Sequence, residues 1–160
     1  MVSSTAKRVV LYRFDRQPLE GIVNPAAYLL VDGLELITVS GTVHAVPYAE
    51  AKALCFVNEF PSADLFQGHK LFERRPRVPG LWTRFTFLDG DQLDGILSHN
   101  LLEWPAQGYL LVPPKASASR QKVFVPRDAL RKTELRGVVG TPASASKRPK
   151  PDQTQIELFD

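Results

Sequence analysis

The chain is nearly free of cysteine. Cys55 stands alone, which excludes an internal disulfide and any multi-cysteine zinc or iron–sulfur site. A thiol-poor composition suits a reducing compartment. Histidine is also scarce. His44, His69 and His99 are far apart and sit beside turns, so they read as surface residues rather than metal ligands. No apolar run approaches the ~20 residues of a membrane span, and charge returns at Arg13 before any leader-like apolar stretch develops. These absences lead us to expect a soluble cytoplasmic protein with no membrane contact. The phosphate-cradling Gly-x-x-x-x-Gly-Lys, the Gly-x-Ser-x-Gly elbow and the dinucleotide fingerprint are missing as well. Cys55 lies in the apolar run Ala53–Val57 and reads as a small core residue, not a nucleophile. No catalytic residue, no metal site and no cofactor is expected, and the chain reads as a non-enzyme.

What the chain has is proline and glycine, thirteen and ten respectively, which favour short strands and turns over long helices. The segment Trp82–Leu97 organises the rest. Phe85 and Phe87 alternate with Arg84 and Thr86, the period of a half-buried strand. Asp89-Gly90 is a tight-turn signal, because glycine takes positive φ freely and aspartate tolerates it. Asp89, Asp91 and Asp94 are expected to be turn residues with a solvated face. The spacing predicts further strands over residues 9–14, 19–23, 28–31, 34–39 and 43–46, and a single turn leading into a closing strand at 52–57. Residues 60–66 read as a short helix in a connector.

A pattern repeats. Leu19-Glu-Gly-Ile-Val23 matches Leu93-Asp-Gly-Ile-Leu97 at an offset of 74, and Val46-Pro47 matches Val125-Pro126 at an offset of 79. The added length falls in the loop 112–120, where insertion is tolerated. The expected organisation is mostly β. A first small barrel covers 8–60, a connector 61–80, a second small barrel 81–140, and a flexible tail 141–160 whose prolines keep it extended.

Each half resembles the small barrels of the Sm and Hfq group, and SH3-like barrels generally, in its Leu-x-Gly-x-Ile second strand and late Val-Pro. The resemblance implies five strands per half and a glycine that lets the second strand bend. The Tyr-Lys-His triplet of Hfq is absent; the nearest segment is Val46-Pro47-Tyr48. The second half is also similar to an uncharacterised bacterial domain through Gly108-Tyr109-Leu110 and Val123-Phe124-Val125-Pro126. That similarity implies no activity. A PilZ-type reading has the Arg127/Arg131 spacing but lacks the second motif it needs.

The tail carries the sharper resemblance. Gln155-Ile156-Glu157-Leu158-Phe159 resembles the pentapeptide by which bacterial replication and repair proteins dock on the DNA polymerase sliding clamp. The resemblance implies that Leu158 and Phe159 anchor in an apolar pocket while Gln155 hydrogen-bonds at its rim. The leading expectation is a non-enzymatic adaptor that docks on the clamp and is linked to replication or repair. One alternative is a nucleic-acid-binding module that uses Arg74, Arg75, Arg77, Arg127 and Arg131 on DNA or RNA, since arginine beside an aromatic suits phosphate and stacked bases. The other is a barrel scaffold whose tail latches onto its own body.

Overall fold

The computed structural model describes residues 5–116 and 121–140. The protein is mostly β. Ten strands run in order: β1 (Lys7–Arg13), β2 (Arg16–Val23), β3 (Gly33–Thr38), β4 (Val43–Pro47), β5 (Ala51–Val57), β6 (Gly80–Phe87), β7 (Gln92–Leu97), β8 (Gly108–Leu111), β9 (Val123–Pro126) and β10 (Leu130–Val139). Two single-turn 3-10 segments, Leu101–Glu103 and Arg127–Ala129, interrupt them. No helix among the described residues is long and apolar enough to cross a membrane.

The strands form two sheets. The larger has the order β4-β3-β2-β1-β5-β9-β8 and the smaller β10-β6-β7. Neither sheet closes on itself. They touch at one bridge, where Ile96 and Val112 exchange both main-chain hydrogen bonds at 3.0 Å. With that bridge counted, each half has the same five-strand order. It is β5-β1-β2-β3-β4 in the first half and β10-β6-β7-β8-β9 in the second.

The pairing register repeats too. Val9 faces Gly21 in the first half, and Thr83 faces Gly95 in the second. Gly33 faces Pro47, and Gly108 faces Pro126. Leu11 faces Leu54, and Phe85 faces Thr133. The repeat predicted from two short matches therefore extends through every antiparallel pair of each half.

Gly21 and Gly95 are required at their positions. A Cβ on Gly21 would sit 2.5 Å from the Ile37 carbonyl oxygen, and one on Gly95 would sit 2.4 Å from Leu111. The missing side chain admits the third strand of each half, a close approach only glycine permits. At Asp89-Gly90 the turn forms as expected, with Gly90 at φ 93°.

Two cores lie on either side of β1 and β5. Val9, Leu11 and Leu54 point into a core inside the first half with Leu34, Leu36 and Phe124. Val10, Tyr12, Ala53 and Cys55 point the other way, into a core with Phe85, Phe87, Leu93 and Val123. Both faces of these strands are dry, which explains why they read as continuous apolar runs rather than alternating ones. Cys55 is buried in this wall.

Residues 60–66 are not a helix. Leu65 is fully buried, and its amide donates to the Tyr12 hydroxyl at 3.0 Å. The Phe66 amide donates to Asp64 Oδ1 at 2.8 Å. Side chains thus satisfy amides that a helix would have paired, and Leu65 is held in the core by an irregular backbone.

Candidate functional site

The turn keeps Asp89 and Gly90 exposed, as expected, and is also an ionic junction. Lys52, on β5, is 7% exposed. Its Nζ lies 2.7 Å from Asp89 Oδ2 and 2.5 Å from Asp91 Oδ2. The ammonium also faces three aromatic rings, with centroids at 4.0 Å for Phe66, 5.5 Å for Phe87 and 5.8 Å for Phe14. Ring quadrupoles and carboxylates together replace the water that the ammonium gives up. Burial pushes the Asp89 carboxyl up. Hydrogen bonds from Lys52 and the backbone, with the Lys52 charge, outweigh that and hold it below the ordinary aspartate range. Lys70 of the connector adds a second cation 3.6 Å from Asp91.

Asp94 is displaced from its expected role. It is fully buried on the outer face of β7, directly across from Arg84. Arg84 Nε donates to Oδ1 at 2.7 Å and Nη2 to Oδ2 at 3.0 Å. The Trp82 indole donates at 3.2 Å and the Phe72 amide at 2.9 Å. The connector runs along the edge of β7 here, where the Asp94 amide donates to the Lys70 carbonyl at 2.8 Å, and reaches the outer face at Phe72. The Asp94 hydrogen bond raises the Arg84 pKa against the opposing effect of burial. The charged clusters around the hairpin thus hold the connector and the two halves together.

The basic candidates fall into separate patches. Phe72 packs edge-on against Trp82, with centroids 6.2 Å apart. Arg136 lies 5.3 Å from the Trp82 ring, and Arg75 Nη2 donates to the Val138 carbonyl at 2.6 Å. Arg74 and Arg75 line a cleft of about 420 Å³ with His69, Phe72 and Lys115. Arg77 is exposed, and its carbonyl abuts Gly140. Arg127 and Arg131 lie apart from this group. Arg127 donates to the Ala106 carbonyl at 2.7 Å and stands 5.7 Å from the Tyr109 ring. Arg131 donates to the Leu88 carbonyl at 3.0 Å. Among the ion pairs of the described residues, no connector arginine pairs with Glu73, Glu103 or Asp128.

Sequence reasoning missed Arg136, Lys52 and the Arg84–Asp94 pair. The last was readable, because counting outward from Asp89-Gly90 sets Arg84 opposite Asp94. Lys52 had a signal too, as a lone charge inside an apolar strand. Arg136 had none, since a bulge between Leu135 and Gly137 brings it to Trp82.

His69 and His99 are exposed and His44 is half-buried. No group of three His, Cys, Asp or Glu residues able to hold a metal occurs among the described residues. The docking peptide Gln155, Ile156, Glu157, Leu158 and Phe159 lies outside the described residues. In comparisons with known proteins, residues 5–137 match the model of a family described as a family of unknown function (DUF6982). No curated protein and no solved structure matches.

Proposed function

We propose that this chain, which belongs to the family of unknown function DUF6982, is a non-enzymatic adaptor that docks on the bacterial DNA polymerase sliding clamp. The observation that carries the reading is the sequence Gln155-Ile-Glu-Leu-Phe159, following a stretch rich in proline, serine and lysine. Two apolar anchors and one amide are sufficient for a short peptide to be recognised in a preformed pocket. The body supports a binding role. Its buried charged groups, Lys52 and Asp94, are spent on internal pairs with Asp89, Asp91 and the half-buried Arg84. The shared five-strand order supports reading each half as a small SH3/Sm-like unit that contributes strands to common sheets.

The test uses a peptide of residues 150–160 and the full chain against a bacterial clamp, read by fluorescence anisotropy. Both are expected to bind, and Phe159→Ala is expected to weaken binding at least tenfold, as for loss of a central anchor, about 1.4 kcal/mol or more. No binding by the peptide, or full-chain binding indifferent to Phe159→Ala, overturns the reading. Binding by the peptide alone favours a tail that latches onto its own body.

A second reading is favoured by the Arg136–Trp82 stack beside Arg74 and Arg75, a cationic and aromatic surface suited to single-stranded nucleic acid. Here single-stranded DNA binding is expected to fall steeply with salt and to be lost in the double variant Arg74→Glu/Arg136→Glu. Retention of binding in that variant removes this surface from consideration.

A further inference from the structure

The two halves are joined by strand pairing. β5, the last strand of the first half, pairs with β9, the fourth strand of the second, through Leu54↔Phe124 and Cys55↔Val123. The ladder continues as the Phe56 amide donates to the Lys122 carbonyl at 2.8 Å and the Gln121 amide to the Phe56 carbonyl at 3.0 Å. This junction uses the fifth strand of one half and the fourth of the other. It leaves over the complementary two, the fourth strand of the first half (β4) and the fifth strand of the second (β10). Those two strands end their sheets, so among the described residues each presents an unpaired edge, and unpaired edges are templates for pairing.

We infer that β10 of one chain pairs with β4 of a second copy, repeating between chains the junction that joins the halves within one. The repeat fixes the register. At the offset of 79, Leu54, Cys55 and Phe56 become Thr133, Glu134 and Leu135. Phe124, Val123 and Lys122 become Ala45, His44 and Val43. Thr133 then faces Ala45, Glu134 faces His44, and Leu135 meets Val43.

The surface fits that register. Leu135 is 65% exposed and Val43 is 59% exposed, an apolar residue on each edge at the point where they meet. Glu134 against His44 sets a carboxylate opposite an imidazole, a favourable cross-strand pair when the histidine is charged. The open part of β10 lies between two arginine contacts, Arg131 on Leu88 and Arg75 on Val138, so among the described residues the edge is open where the register needs it. The contact is head-to-tail. Each chain offers a different edge at each end, and copies add until a ring closes.

The full chain is studied by sedimentation and light scattering, with Val43→Asp and Leu135→Asp as variants. Both positions are exposed in a single chain, so the fold tolerates the change. The wild-type chain is expected to form assemblies larger than one chain as concentration rises, and each variant alone to be monomeric. An equimolar mixture of the two variants is expected to stop at a dimer, since one intact edge remains on each. A wild-type chain that stays monomeric, or an assembly that survives both substitutions, overturns the inference. Cross-linking gives a second readout that does not depend on the aspartates. Chains carrying Ala45→Cys mixed with chains carrying Thr133→Cys are expected to form a disulfide dimer, because directly opposed positions lie within reach of a disulfide. Absence of that dimer under oxidising conditions overturns the register.

Discussion

Asp94→Asn is expected to destabilise the protein by about 3–5 kcal/mol, the range for breaking a buried pair by removing one partner. All the groups that reach this carboxylate are donors: two from Arg84, the Trp82 indole and the Phe72 amide. Asparagine keeps the shape and supplies one acceptor oxygen. Its amide nitrogen then points at donors, and the half-buried Arg84 charge loses its counter-ion. The loss is larger than that of an ordinary surface change because two functions fail together. The β6–β7 hairpin loses its cross-strand pair, and the connector loses the anchor at Phe72. Urea or thermal unfolding followed by circular dichroism measures it, with a fall in Tm of roughly 6–20 °C for a chain of this size. A variant as stable as the wild type would show that the connector is held without Asp94.

Lys52→Met is expected to cost about 3 kcal/mol at neutral pH, near the low end for a buried pair because the two carboxylates are partly exposed. Methionine fills the same space among Phe14, Phe66 and Phe87. What fails is electrostatic, since Asp89 and Asp91 are left side by side with only Lys70 nearby. The pH dependence separates this cause from lost packing. Asp89 has its pKa lowered in the folded state, so its contribution is fully present above the ordinary aspartate value. That contribution is lost as pH falls through the lowered folded value. The variant lacks this contribution. The stability gap between the two proteins is therefore expected to narrow as the pH falls below 3.8, the ordinary value for this group. Unfolding curves from pH 7 to pH 2.5 test it, and a gap independent of pH would assign the whole effect to packing.

The fold was legible where the two faces of a strand differ in burial. Phe85 and Phe87 alternate with Arg84 and Thr86 because only one side of β6 meets the core, and the strand was read from that alternation. The glycines at 21 and 95 were legible for a related reason, as the close approach of the Ile37 carbonyl and of the Leu111 side chain leaves no room for a Cβ. Burial imposed by distant segments was not legible. Asp94 stands beside a turn in sequence and is dry only because the connector lies across it. Lys52 sits among alanines that suit a surface turn, and the rings that enclose it come from residues 14, 66 and 87. Local composition reports the strand a residue belongs to, whereas its solvent exposure depends on what the rest of the chain lays over it.

The wall formed by β1 and β5 has a consequence for how this protein can change. Its counterparts β6 and β10 follow the same strand plan, yet the outer face of β6 is only half-buried and β10 is largely exposed. A polar substitution at the exposed positions of β10 meets water and is absorbed. The same substitution at the equivalent position of β1 or β5 enters one dry interior or the other. Two copies of one design therefore accept mutation at different rates. The first copy is held to its side chains by neighbours on both faces. The second is free to acquire new recognition chemistry on its outer surface while the framework beneath it stays intact.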